Sequence, residues 1–338
     1  MHHLTYAEAI IVGLIQGVTE LFPVSSLGHN VLLPALVGGS WSTDLSVAKP
    51  ESPYLAYIVG LHVATAIGLT AYFWRDWVRI IRGFFSSLRH MEIETPDQKL
   101  AWMIIFATIP VGLTGVTFEH TFRTLFGVPS RAAIFLVING LILFSAERFR
   151  PRKSREADKQ VLAEREREPE LVGAGGAAPT HATGAQHASG QRAIRQDEIV
   201  IAIEADRRIT SYGYGQALII GSAQILALLA GISRDGVAMA AGMFRGLSRE
   251  DAARFAFLLA TPVILAAGVL KVPDLLGPLS NGIRPQIIVG SVVSGIGAYL
   301  SVRFLMKYFR TRTLTPFAIY CLVAGIGSLI YLGIVHRL

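Results

Sequence analysis

The chain has 338 residues, of which 52% are hydrophobic and only 16% are charged. Soluble domains carry about 25% charged residues, so this composition excludes an ordinary soluble protein and a chain that is disordered throughout. The formal net charge is +7. Because the basic residues lie in short segments between long apolar runs, they indicate orientation in a membrane rather than a nucleic-acid partner. We therefore predict an all-α polytopic membrane protein.

The first apolar stretch, residues 5–37, has a polar centre that begins at Gln16 and ends at His29. Pro23 and Gly28 lie within this centre and break a helix. Irregular backbone at membrane depth is tolerated only where it lines a protein cavity, so we predict a re-entrant helical hairpin. No basic region precedes the stretch, and we expect it to belong to the mature protein rather than to a cleaved signal peptide.

Six further stretches are long and apolar enough to cross a bilayer as helices. They cover residues 54–74, 101–117, 131–147, 254–270, 286–304 and 315–335. The last of them contains Cys321, the single cysteine, so a disulfide within the chain and a Cys-based metal site are excluded. The small residues of 286–304 suit close helix packing within one chain or between two copies, and the second case would give a homodimer.

Residues 156–200 differ from the rest in composition, since a run of mixed charge is followed by VGAGGAAPTHATGAQHASGQ. The second part has almost no large apolar side chains and is expected to be a flexible linker. Its histidines, His181 and His187, are expected to be solvated rather than to bind a metal. This linker separates a first unit, 1–147, from a second unit, 213–338, with 148–212 between them.

Residues 213–243 are again apolar with a polar centre, formed by Gln224, Ser233, Arg234 and Asp235, and we predict a second re-entrant hairpin there. Six spans and two hairpins place all four basic segments on one face of the membrane, which the positive-inside rule makes cytoplasmic. The basic segments are 75–100, 148–155, 243–254 and 303–313. Both termini are then predicted to lie outside.

The two polar centres align without gaps. Gln16 and Gln224 each precede a serine by nine positions, and each serine, Ser25 or Ser233, precedes a glycine by three. Because three spans follow each centre, the second unit is inverted relative to the first. Inverted repeats of this kind place their sites where broken helices meet near the middle of the membrane.

The residue types in the two centres suit phosphate chemistry. A helix that starts after a Ser–Gly turn favours an anion at its N-terminus, and the Arg234 guanidinium matches phosphate oxygens. Glu20 can hold a divalent cation or handle protons, and His29 can transfer protons near neutral pH. Other interpretations stay open: Glu20 and Arg234 as a structural ion pair, Ser25 and Ser26 as helix caps, and Gln16 as an interhelical hydrogen-bonding group.

The run QGVTELFPVSSLGH, residues 16–29, resembles the first signature of the undecaprenyl-diphosphate phosphatase family, also known for bacitracin resistance. A second signature of that family falls on AGISRDGVA, residues 230–238, where Ala230, Asp235 and Ala238 take the places of a proline, a serine and a threonine. Both FRGLSREDAARFAFLLATPVILAAG and Pro316–Tyr320 are also similar to the family. The resemblance extends over the whole chain except 156–200.

The resemblance implies hydrolysis of undecaprenyl diphosphate to undecaprenyl phosphate and inorganic phosphate in the bacterial inner membrane. On this hypothesis Arg234 and the turn N–H groups hold the phosphates, and Mg²⁺ or Ca²⁺ at Glu20, with Gln16, offsets their charge. The expected catalytic residues are Glu20, Ser26, His29 and Arg234, and the expected substrate-binding residues are Gln16, Ser25, Gly28, Ser233 and Gly236.

Several alternatives remain at this stage. The nucleophile is Ser25, Ser26, His29 or water. The leaflet from which the substrate enters is not fixed, although the resemblance suggests the outer one. A polyprenyl-phosphate transporter or flippase would use the same anion site without hydrolysis, and release of phosphate distinguishes the two functions.

Overall fold

The computed structural model describes residues 4–39, 41–42, 45, 53–173, 199–271, 273, 275, 277 and 280–336, and within these ranges all regular structure is helical. In chain order, the helices are α1 (Tyr6–Thr19), α2 (Ser26–Val37), α3 (Pro53–Tyr72), α4 (Trp74–His90), α5 (Pro96–Phe126), α6 (Pro129–Arg148), α7 (Arg152–Gly173), α8 (199–210), α9 (Tyr214–Ala223), α10 (Arg234–Phe244), α11 (Arg249–Leu270), α12 (Arg284–Tyr308) and α13 (Thr315–His336). A short 3₁₀ helix, Gln224–Leu228, follows α9.

Five of these helices, α5, α6, α11, α12 and α13, are long and apolar enough to cross a membrane. The sixth predicted span, 54–74, corresponds to α3, whose 20 residues extend about 30 Å at 1.5 Å per residue. After Phe73 the chain bends by 84° into α4. Segment 75–100, expected only as a basic connection, therefore contains a helix of its own. The predicted class, a polytopic all-α membrane protein, is confirmed.

The first polar element enters and leaves at one end of the bundle. A Cβ on Gly13 of α1 would lie 2.6 Å from the Gly290 carbonyl oxygen, and Gly17 lies one turn further along, against Ser294. Helix α1 is therefore parallel to α12, and α3 is parallel to α12 as well. The Tyr57 hydroxyl of α3 donates to the Ala9 carbonyl of α1 at 2.5 Å. Because α1 and α3 are parallel and start side by side, the chain between them must return to its starting level, as a re-entrant hairpin does.

The second polar element also begins and ends in one place. The Tyr212 hydroxyl, just before α9, donates to the Gly246 carbonyl just after α10 at 2.7 Å. Close by, Arg245 Nε donates to Gln216 Oε1 at 2.9 Å. These two bonds join the entry and the exit of the segment.

The two hairpins open toward opposite ends of the bundle. The first opens where α3 starts. The second opens where α11 starts, and there the Arg254 guanidinium lies 5.6 Å from the Phe73 ring at the far end of α3. Opposite entry is what an inverted repeat requires.

The small residues of α12 pack within the chain. Gly290 lies under the Tyr57 ring, Gly297 against Gly17, and Gly295 against Ala64. The small residues of 286–304 were predicted to pack helices within one chain or between two copies, and the structure shows the packing within one chain.

The end of the bundle where the second hairpin opens carries the basic segments, and we call it the charged face. Arg79 donates to Asp76 and Asp206, both at 2.7 Å, and to Asp97 at 2.9 Å. Arg254 donates to Asp206 at 2.9 Å and to Asp76 at 2.8 Å. Burial alone would raise the pKa of Asp76, but Arg254 and Arg79 beside it hold that pKa below its ordinary value.

Helix α7 is also fixed to the charged face. The Ser154 hydroxyl donates to the Leu247 carbonyl at 2.6 Å, and Asp158 accepts from Arg249 and Arg150. The mixed-charge part of 156–200 is helical, within α7, and its Asp158 pairs with Arg249 at the start of α11. His181 and His187 lie outside the described residues.

We predict that Asp206→Asn lowers the midpoint of thermal unfolding in detergent by several degrees. Asp206 is fully buried between two arginines, and removal of one partner from a buried ion pair costs about 3–5 kcal/mol. The control is Glu204→Gln on the same helix, whose partner Arg207 is 60% exposed. Equal midpoints for the two variants would contradict the assigned role of Asp206.

Candidate active site

Each hairpin breaks at a serine that caps the following helix. Ser25 Oγ accepts from the Gly28 N–H at 3.2 Å, and Ser233 Oγ accepts from the Gly236 N–H at 3.1 Å. The Ser-to-Gly spacing of three therefore reflects the same structure in both repeats, because in each the serine is the N-terminal cap of the helix that follows, α2 or α10. Gly28 and Gly236 were expected to bind phosphate, and in the free protein their backbone N–H groups donate to these capping serines.

The two breaks contact each other. Ser25 Oγ also accepts from the Gly231 N–H at 3.2 Å. A Cβ on Gly28 would lie 2.9 Å from the Gly231 Cα, so only glycine fits at this contact. Ser25 itself adopts a φ of 70°, an uncommon conformation for a residue with a side chain, held here by the bonds to its hydroxyl.

Asn139 of α6 joins the two breaks a second time. Its Nδ2 donates to the Pro23 carbonyl at 3.0 Å, and its Oδ1 accepts from the Ser233 N–H at 2.9 Å. The side chain is completely buried. A buried amide with both ends bonded fixes the relative position of the groups it joins.

Glu20 lies at the centre of the predicted site. Its Oε2 accepts from Gln16 Nε2 at 2.7 Å and from the Ser26 hydroxyl at 2.5 Å, while Oε1 pairs with Arg234 of the other repeat. His62 Nε2 lies 3.4 Å from Oε2. Four of the predicted site residues, Gln16, Glu20, Ser26 and Arg234, are therefore brought together in one bonded group.

This bonded group is reachable by a ligand on its cationic side. The Glu20 side chain is only 2% exposed, but that of Arg234 is 18% exposed. Arg234 Nε is buried and has no hydrogen-bond partner among the described residues, and Nη2 is the one guanidinium nitrogen that bonds to Glu20, so an anion that reaches the guanidinium would find unused donors.

His29 lies one turn beyond Ser25 and Ser26 and makes different contacts. Its Nδ1 is 2.7 Å from the Ser25 carbonyl, and its Nε2 is 2.7 Å from the Tyr320 hydroxyl of α13. Because a carbonyl only accepts, Nδ1 carries the proton and Nε2 accepts from Tyr320. Among the described residues, no hydrogen bond joins His29 to Glu20 or Arg234, so the predicted site comprises two adjoining groups.

Four residues of these groups were not among the predicted site residues. Asn30 Nδ2 donates to Gln16 Oε1 at 2.7 Å, and His62, Asn139 and Tyr320 contact Glu20, Ser233 and His29 as described above. Asn30, His62 and Asn139 are polar residues within apolar runs, and this is the signal that marks them in the sequence. Tyr320 carries no such signal beyond its place in a family-like stretch.

Asp235 follows Arg234 and is 1% exposed. Neither of its carboxylate oxygens has a hydrogen-bond partner among the described residues. It lies in the first turn of α10, where the helix dipole favours a negative charge.

The residues around Glu20 offer few ligands for a metal ion. Among the described residues, no three His, Cys, Asp or Glu side chains lie close enough to hold one. Gln16 Oε1 already accepts from Asn30. Mg²⁺ is commonly held by one or two carboxylates together with substrate phosphates and water, so the donor set fits only a cation that the phosphates share.

Comparison with known proteins shows the family to which the chain belongs. The family model described as "Bacitracin resistance protein BacA" matches residues 9–167 and 185–327. A protein named undecaprenyl-diphosphatase from Mycolicibacterium paratuberculosis is 54% identical over 98% of this chain and 99% of its own length. Undecaprenyl-diphosphatase 2 of Frankia alni is 53% identical over 96% and 97% of the two chains, and the Granulibacter bethesdensis undecaprenyl-diphosphatase is 36% identical over 96% of each. The match includes both hairpins, and the chain belongs to the BacA bacitracin resistance family.

Proposed function

We propose that the chain hydrolyses undecaprenyl diphosphate to undecaprenyl phosphate and inorganic phosphate. The observation that carries this proposal is the bonded group of Ser26, Glu20 and Arg234, in which a hydroxyl, a base and a cation meet at the contact of two broken helices. The names of the family relatives support the same substrate. A lipid diphosphate suits the site, since its tail can remain in the bilayer.

Arg234 is the residue that recognises the diphosphate in this proposal. Its side chain is partly exposed, and a planar guanidinium can bond two phosphate oxygens at once. The N-termini of α2 and α10 add the positive ends of two helix dipoles to the same region. The substrate then replaces part of the Glu20–Arg234 pairing, which frees Glu20 for proton transfer.

Ser26 is the proposed nucleophile and Glu20 its base. The Ser26 hydroxyl already donates to Glu20 at 2.5 Å, the contact that a nucleophile and its base require. Ser26 Oγ forms a bond to the terminal phosphorus, the bond from that phosphorus to the bridging oxygen breaks, and undecaprenyl phosphate leaves. Water then hydrolyses the phosphoserine and releases inorganic phosphate. His29 is oriented by its Nδ1 bond to the Ser25 carbonyl, and it transfers protons to and from this water through Nε2 once the water takes the place of the Tyr320 hydroxyl there.

A divalent cation is part of the proposal. Glu20, assisted by Gln16, would hold Mg²⁺ or Ca²⁺ together with the phosphates. When bound, the cation offsets the charge of the diphosphate in a region of low dielectric constant.

The proposed location is the bacterial inner membrane. The charged face gathers the basic segments and is therefore assigned to the cytoplasm, which leaves both termini outside. The first hairpin, with Glu20, Ser26 and His29, then opens toward the outer side, and this favours entry of the substrate from the outer leaflet. A homodimer stays a prediction. The comparisons lend no support to a transporter or flippase.

We expect the purified chain to release phosphate from undecaprenyl diphosphate in detergent. Glu20→Gln and Arg234→Lys should each lower kcat/KM by about 10²–10³-fold, as loss of a general base or of a charge-stabilising group does. Glu8→Gln is a matched control, since Glu8 is a buried carboxylate at the other end of α1 that accepts from the backbone N–H of the N-cap residue Thr5. Tight lipid binding without release of phosphate would instead favour a transporter.

The nucleophile can be identified by trapping the phosphoenzyme with substrate labelled on its terminal phosphate. Ser26→Ala is expected to abolish the label, because the attacking oxygen is absent. His29→Ala is expected to keep the label and to turn over slowly. A label that survives Ser26→Ala but is lost in His29→Ala would assign the attack to histidine, and no label in the active wild-type protein would assign it to water.

Removal of divalent cations by a chelator should strongly reduce the release of phosphate, and Mg²⁺ or Ca²⁺ should restore it. Because the cation is held jointly with the phosphates, we expect binding of Mn²⁺, measured by electron paramagnetic resonance, to tighten at least severalfold when a non-hydrolysable diphosphate lipid is present. Equal Mn²⁺ binding with and without the lipid would contradict shared coordination.

A further inference from the structure

Helix α4 has an orientation unlike that of the spans. It meets α3 at 84°, directly after Phe73 at the charged face. A helix perpendicular to a membrane span lies in the plane of the membrane surface. Its 17 residues therefore extend along this surface for about 25 Å.

One side of α4 is bound to the rest of the protein. Ile80, Gly83 and Ser87 are buried, and Trp102 Nε1 of α5 donates to the Ser87 hydroxyl at 3.0 Å. Arg79, on the same side, bonds to Asp206 of α8. Helix α4 is thus held in place by the polar residues Arg79 and Ser87 together with the buried Ile80 and Gly83.

The opposite side of α4 is apolar and uncovered. We call it the apolar stripe, and it consists of Trp74, Val78, Ile81, Phe85 and Leu88. These five side chains are between 37% and 63% exposed. Their spacing of four, three, four and three residues places them on one line along the helix. An uncovered apolar line at a membrane surface is suited to contact with lipid tails.

A row of arginines borders the apolar stripe along one edge. Arg75, Arg82 and Arg89 recur every seven residues, or two helical turns, so they share one side of α4. Arg82 and Arg89 are exposed and form no salt bridge with any described residue, and Arg75 lies 5.2 Å from the Trp74 ring. The neighbouring Arg79, in contrast, bonds to three carboxylates.

We propose that α4 is an interfacial helix that binds anionic phospholipids. The apolar stripe enters the acyl region of the leaflet at the charged face, and Arg75, Arg82 and Arg89 bond to the phosphates of anionic headgroups. Charge complementarity selects these lipids over zwitterionic ones. This site is separate from the proposed catalytic group and does not depend on the proposed function.

The depth of α4 can be measured with a nitroxide on Phe85→Cys in a Cys321→Ser background, since Cys321 is the only other cysteine. In liposomes of phosphatidylglycerol and phosphatidylcholine, we expect this label to be more accessible to oxygen than to a water-soluble nickel chelate. A label on Arg155→Cys, an exposed position of α7, should show the reverse. Greater access to the nickel chelate at position 85 would overturn the proposal. Exclusion of both reagents would show a protein contact, as in a second copy of the chain, and would overturn it as well.

Lipid preference is measured from the association of spin-labelled phosphatidylglycerol and phosphatidylcholine with the reconstituted protein. The Arg75→Gln/Arg82→Gln/Arg89→Gln variant should lose the preference for phosphatidylglycerol by on the order of tenfold. The control, Arg152→Gln/Arg155→Gln/Lys159→Gln, removes the same charge from α7 and should change the preference by less than about twofold. Thermal unfolding establishes that both variants are folded. If the preference for phosphatidylglycerol falls equally in the two variants, or falls in neither, a specific site on α4 is contradicted.

Discussion

The ion pair between Glu20 and Arg234 is the interaction on which the site depends. Each charge alone is costly at membrane depth, and together they are stable only if their geometry is fixed and their remaining atoms are bonded. The Ser25–Gly231 bond, the Asn139 bridge and the hydrogen bonds to Glu20 supply that geometry. In the proposed mechanism the pair has a structural and a functional role, since the group that neutralises Glu20 in the free protein is the one proposed to bind phosphate.

The polar centres of the two hairpins were predictable because the chemistry of a broken helix in a membrane leaves a clear pattern. Few residue types tolerate that position, and Glu20, Ser26 and Arg234 stand out against apolar neighbours. The equal Ser-to-Gly spacing predicted two equivalent turns, and the structure has the same serine cap in each. The assignment of Gly28 and Gly236 as phosphate-binding residues stays a prediction, and the spacing did not reveal that their N–H groups bond to the capping serines in the free protein.

Other parts of the site could not be predicted because they depend on tertiary contacts. Tyr320 meets His29 across 291 positions, and Asn139 meets Ser233 across 94. The helices α4 and α7 were missed for a different reason: a high density of charge is typical of connections as well as of surface helices. Only the packing of Arg79, Asp206 and Asp158 shows which of the two applies.

The long separation of Glu20 and Arg234 also affects biosynthesis. The two residues are 214 positions apart, which at about 5–20 residues per second corresponds to on the order of 10–40 s of translation. Throughout this interval the nascent first hairpin holds a carboxylate whose cationic partner has not yet been made. Insertion of the second half is therefore the event that completes the neutralisation of the first, and the ribosome sets the earliest time at which the two halves can join.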